Sequence, residues 1–143
     1  MKKTLFIKRA ALLASLSGLI AFAAAPLQAA DRITPGQWET TATSERGTYT
    51  TTTCMTPDMA KIANADEKTV RALTDKAGEG VCVLGTYQDS GNKVSYTMTC
   101  DKSVTTTITT FRGDSYETDF TNTKGGMAPT TMHVKGKRVG ACK

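Results

Sequence analysis

Few residues of this 143-residue chain could do chemistry, and their spacing narrows what that chemistry would be. Cys54, Cys82, Cys100 and Cys142 stand 28, 18 and 42 residues apart. A zinc site needs close cysteine pairs and a thioredoxin-type redox centre needs C-x-x-C; neither spacing occurs. An even set of widely spaced cysteines in a short chain is instead the pattern of two disulfides formed in an oxidising compartment. His133 is the single histidine, so any Ser/His/Asp or Cys/His mechanism would have to use it. No G-x-S-x-G accompanies it. Alternation along Thr130–Lys135 sets His133 with Thr131 and Lys135, opposite Met132 and Val134, on the side that faces water.

Glu117 and Asp119 share one face of a strand, with Asp101 a further carboxylate, and paired acids can perform glycosidase chemistry. Without burial they read as a solvated face. Met127, Met132 and His133 are soft ligands of the kind that hold copper. Met132 and His133 leave opposite sides of one strand, however, and methionine commonly fills apolar gaps. Thr105, Thr107 and Thr109 form a row resembling an ice-binding plane, but no fixed-period repeat extends it. Gly125-Gly126 precedes a strand rather than a helix, unlike a phosphate-binding loop. The expectation is no catalytic residue, no metal and no cofactor. Aromatic side chains are the better candidates. Trp38, Tyr87, Tyr96, Tyr116 and Phe120, with Tyr49, could line a curved sheet and hold one apolar ligand between sheet and helix, or simply form the core.

Those side chains must be carried by something, and the chain divides at about residue 30. Lys2, Lys3, Lys8 and Arg9 precede an apolar stretch from Ala10 to Ala25, and Pro26-Leu27-Gln28-Ala29-Ala30 offers small residues at a cleavage point. This is the layout of a secretory signal peptide, residues 1–30, and the sixteen-residue stretch is short of the roughly 20 needed to span a bilayer. Cleavage after Ala29 or Ala30 leaves one disulfide-stapled, β-rich domain over residues 31–143 in the periplasm or outside the cell. The formal net charge of +5 falls with the leader: removing its four cations from 18 leaves 14 against 13 acids, or +1. A nearly neutral domain has no electrostatic footprint for nucleic acid. Nor has it a second long apolar run to hold it in a membrane.

Threonine runs such as Thr50–Thr53 and Thr105–Thr107 favour strands. Period-two alternation at Trp38/Thr40/Ala42, Val104/Thr106/Ile108, Tyr116/Thr118/Phe120 and Thr130/Met132/Val134, with turns at Glu45–Gly47, Ser90-Gly91, Gly113-Asp114 and Gly125-Gly126, predicts a mainly β (α+β) fold. The expected form is a bent antiparallel meander of about seven strands. One segment differs. Thr56-Pro57-Asp58 is a helix start, Met59, Ile62, Val70, Leu73 and Ala77 follow at helical spacing, and Gly78 is a stop. The stripe lapses at Asn64-Ala65-Asp66, which predicts two short helices or one interrupted helix over a sheet edge or face.

The strands Val81–Gln88 and Lys93–Cys100 flank the turn Asp89-Ser90-Gly91-Asn92. A tip at Ser90-Gly91 would set Tyr87 opposite Val94, Gly85 opposite Tyr96, Val83 opposite Met98 and Val81 opposite Cys100, with every large apolar residue except Leu84 on one face. Cys82 and Cys100 would then leave opposite faces. The expected pairing is Cys54–Cys82 and Cys100–Cys142.

Gly36-Gln37-Trp38-Glu39 resembles the G-x-W-E opening of a bacterial family called domain of unknown function 3617. Cys54-Met55-Thr56 is similar to that family's C-x-T step before a helix, and Gly140-Ala141-Cys142 resembles its terminal G-x-C. The resemblance implies a small exported, disulfide-bearing protein of Gram-negative bacteria, and it brings no activity, cofactor or catalytic residue. The reading that follows is a non-catalytic exported binding or envelope-associated module, its partner a small apolar molecule or an envelope protein. The alternatives are a small periplasmic hydrolase using Glu117 and Asp119, or a structural or stress protein without a specific ligand.

Overall fold

Among the described residues, threonine-rich alternation forms seven strands, and the apolar stripe that follows Thr56 forms two helices. The computed structural model describes residues 31–78 and 81–143, with Gly78 by its backbone alone, so the expected signal peptide lies outside the described residues. In chain order the elements are β1 (Gly36–Ser44), β2 (Gly47–Met55), α1 (Pro57–Ala63), α2 (Glu67–Gly78), β3 (Cys82–Asp89), β4 (Lys93–Cys100), β5 (Ser103–Phe111), β6 (Ser115–Lys124) and β7 (Thr130–Gly140). Thr56 caps α1 by accepting from the Met59 N–H at 3.3 Å, and Asp66 does the same for α2 through the Thr69 N–H at 2.8 Å. The helical stripe breaks between them at Asn64, as its spacing predicts.

All seven strands are antiparallel in one open sheet with the order β2-β1-β7-β6-β5-β4-β3. From β3 to β7 the chain meanders, and the β1–β2 hairpin joins that meander through β7. Successive strands β2 and β3 therefore lie at opposite edges. The two helices carry the chain from one edge to the other across a single face, which buries Trp38, Ala42, Leu84, Val94 and Val134. Trp38, 2% exposed, packs with Ile33 and with Ala60 of α1, and Met55, Phe111 and Tyr116 surround this cluster. Burying an indole of about 200 Å² removes enough apolar surface to contribute on the order of 5 kcal/mol. Its N–H keeps a partner, the Thr34 carbonyl at 3.0 Å.

The β3–β4 hairpin departs from the expected register in two places. Asp89 pairs with Val94 and Tyr87 with Tyr96, because the tip is Gly91-Asn92, one residue farther on, closed by the Ser90 N–H donating to the Lys93 carbonyl at 2.9 Å. Farther on, Leu84 pairs with Met98, so Gly85 and Thr86 together oppose Thr97 as a β-bulge. Gly85 suits that place, since a Cβ there would collide with the Thr97 hydroxyl, which instead accepts from the Thr86 N–H at 3.0 Å. The bulge flips the face of every residue beyond it. Leu84, the expected exception, is buried at 3%, while Val81 and Val83 face water.

This corrects the expected disulfides. Cys82 and Cys100 sit directly opposite and are bonded, with Cα atoms 4.1 Å apart. Cys54 is bonded to Cys142, with Cα atoms 5.3 Å apart. Gln37 of β1 pairs with Cys54 on one side and Gly140 on the other, so the ends of β2 and β7 converge at one corner. The pairing Cys54–Cys82 is excluded because β2 and β3 are at opposite edges of the sheet.

Candidate functional site

A cavity of about 480 Å³ lies between the helices and the β3–β5 end of the sheet. Its floor is Tyr87, Val94, Tyr96, Met98, Thr109 and Phe111. Register places these side chains on one face: Tyr87 opposite Tyr96, and Val94 opposite Thr109. The bulge keeps this face apolar along β3, since it turns both Tyr87 and Leu84 inward. Ile62 and Ala63 of α1 form part of the roof, and Val70, Leu73, Thr74 and Ala77 of α2 complete it. The roof does not close the space because alanine and threonine are short. Leu73 and Ile62 of the roof are 39% and 56% exposed.

Polar groups gather at one end. Arg32 donates to the Asp89 carboxylate at 2.7 Å and to the Ala65 carbonyl at 3.0 Å, and its guanidinium lies 5.7 Å from the centre of the Phe111 ring. Its side chain is 10% exposed, so this ion pair is better shielded than a surface pair. Asn64 fixes the neighbouring backbone by accepting from the Ile33 N–H and donating to the Ile33 carbonyl, at 3.0 and 2.8 Å. The Tyr87 ring stacks on Tyr96 at 6.5 Å. Burial holds the Tyr87 hydroxyl above the usual phenol range, with Asp89 adding to the effect and Arg32 opposing it. It is a neutral hydrogen-bonding group at neutral pH.

The five aromatic candidates divide among three places. Tyr87 and Tyr96 line the cavity. Trp38 is in the core, and Tyr116 packs beside it with ring centres 5.6 Å apart. Phe120 lies near the far end of the strands, in a separate depression with Ser44 and Met132. Tyr49 is 57% exposed on the edge strand β2. Arg32 and Asn64 carried no signal in sequence, because their partners are 31 to 57 residues distant.

On the other face of the sheet, Asp119 pairs across strands with His133, carboxylate to Nδ1 at 2.7 Å. Only the β6–β7 register reveals this contact. Glu117 shares that face and lies 3.5 Å from the Arg112 guanidinium, whereas Asp101 sits apart in the β4–β5 turn. Met132 and His133 leave opposite faces, and Met127 is 66% exposed in the β6–β7 connection. Thr105, Thr107 and Thr109 lie on the helix-covered face, with Thr107 buried. Among the described residues no three His, Cys, Asp or Glu side chains cluster.

The family model described as protein of unknown function (DUF3617) matches residues 33–142. The chain belongs to that family. No curated protein and no solved structure matches it. The DUF3617 span runs from Ile33, the first buried core residue, to Cys142, the last disulfide cysteine. Its Gly36–Glu39, Cys54–Thr56 and Gly140–Cys142 segments meet at the corner where Gln37 pairs with both Cys54 and Gly140. Two disulfides fit a chain that folds in a non-reducing compartment. No helix among the described residues is long and apolar enough to cross a membrane.

Proposed function

We propose that this DUF3617 protein is an exported, non-catalytic binding module that holds a small apolar molecule between its helices and its sheet. The observation that carries this reading is the cavity itself. It measures about 480 Å³, has carbon-rich walls from both layers, and bears one hydrogen-bonding end at Arg32 and Tyr87. That volume lies within the range of about 300–1,000 Å³ usual for small-molecule sites. Export rests on the leader pattern of Met1–Ala30 together with the two disulfides. The periplasm or the cell exterior accounts for both.

The neutral dye N-phenyl-1-naphthylamine is a suitable probe. Saturable binding at one site per chain is expected. Thr74→Phe and Ala77→Phe, which extend the roof into the cavity, are expected to weaken it at least tenfold with the far-UV spectrum unchanged. Absence of saturable binding, or equal binding by the filled variants, overturns the assignment. Export is checked by sequencing the N-terminus of protein recovered from the cell envelope, which should begin at Ala30 or Asp31.

A further inference from the structure

The two edges of the sheet are built differently. Edge strand β3 carries a bulge, and Arg71 of α2 donates to the Leu84 and Gly85 carbonyls at 2.7 and 2.9 Å. A bulge and a capping side chain are means by which proteins keep an edge from pairing with another chain. Edge strand β2 has neither. It runs nine residues in unbroken register with β1, and Gly47–Thr53 are exposed throughout. It contains no charged residue and no proline, and among the described residues no strand pairs with its outer side.

The free backbone groups can be assigned. The two-residue turn Glu45-Arg46 makes Ser44 and Gly47 the bonded closing pair of the hairpin. Alternation then aims the N–H and C=O of Thr48, Thr50 and Thr52 away from β1. The intervening pairs carry hydroxyl contacts, Thr41 with Thr50 at 3.0 Å and Thr43 with Thr48 at 3.1 Å, which stiffen the strand. The Cys54–Cys142 disulfide pins its end.

We infer that β2 is a homodimer interface, pairing antiparallel with β2 of a second copy about a two-fold axis near Thr50. A two-fold places Thr48 of each copy opposite Thr52 of the other and Thr50 opposite itself, satisfying about six backbone hydrogen bonds. The threonine strand faces itself without like-charge contact. The same register sets Arg46 of one copy opposite Cys54 of the other, so no like charges meet along the strand. The exposed Tyr49 ring gains Thr51 and Thr53 of the second copy to cover it. The interface is independent of the cavity, which lies at the β3–β5 end.

Sedimentation velocity of the purified, disulfide-bonded protein between 1 and 500 µM, roughly the range of weak self-association, tests this. The sedimenting mass is expected to double with concentration. Thr50→Lys and Thr50→Glu are each expected to weaken association at least tenfold by setting like charges opposite one another. An equimolar mixture of the two variants should restore it. A monomer at every concentration overturns the inference, as does undiminished association of both variants. Should the variants fail to fold, hydrogen exchange on the unaltered protein decides: protection of the Thr48, Thr50 and Thr52 amides must rise with concentration, and concentration-independent exchange overturns it.

Discussion

Replacing each cysteine pair by serine should separate the two disulfides by their stabilising effect. Cys54–Cys142 closes a loop of 88 residues and Cys82–Cys100 one of 18. The chain-entropy relation assigns about 4.5 kcal/mol to the long loop and about 3 kcal/mol to the short one. Domains of this size are stable by about 5–15 kcal/mol in total, so the first loss approaches the whole margin. Urea unfolding followed through Trp38, the one tryptophan, measures both variants. With a slope of about 2 kcal/mol per molar, the midpoints should fall by roughly 2 M for Cys54→Ser/Cys142→Ser and 1.5 M for Cys82→Ser/Cys100→Ser. Tryptic mapping fixes the connectivity independently, because cleavage separates all four cysteines: peptide 47–61 should be linked to 139–143, and 77–93 to 94–102. A link between 47–61 and 77–93, or a larger loss from the short loop, would refute the reasoning.

Arg71→Ala should destabilise the protein by about 1–2 kcal/mol, because it leaves the two bulge carbonyls without their donor; hydrogen exchange should rise along β3 and hardly elsewhere. Glu67→Gln should cost less than about 0.5 kcal/mol in the same urea assay, since it removes only an exposed helix ion pair. Gly136→Ala should lower the thermal midpoint by roughly 5 °C or more, because the added methyl collides with the Tyr116 ring where that ring packs on Trp38. Asp66 is held below the usual carboxylate range chiefly by its hydrogen bonds with Thr69. Its lowered folded-state value means the cap is fully effective above about pH 4 and is lost as pH falls through that value. Helical ellipticity should therefore decline in acid, and Asp66→Ala should remove that pH dependence.

Local elements were legible in the sequence because each is a local property. Thr56-Pro57 opens a helix whether or not a sheet is beneath it, and the Asn64-Ala65-Asp66 lapse marks the break between helices. Alternation at Tyr116/Thr118/Phe120 assigns those side chains to one face before any partner strand is known. The bulge left a trace that alternation alone does not use: a glycine inside a strand, Gly85, between two inward residues of opposite parity, Leu84 and Tyr87.

Composition and spacing by themselves determined a β-rich, disulfide-bearing chain of about seven strands with one helical segment that lapses near Asn64. The tertiary structure alone decided which strands are neighbours. Pairing β1 with β7 brings Cys54 to Cys142, and one extra residue at Gly85-Thr86 brings Cys82 to Cys100. Periodicity specifies the face a side chain takes, but the order of strands depends on which edges meet across the whole fold. A single inserted residue reverses face assignments for everything beyond it, so cavity, disulfides and free edge follow from contacts that no local window contains.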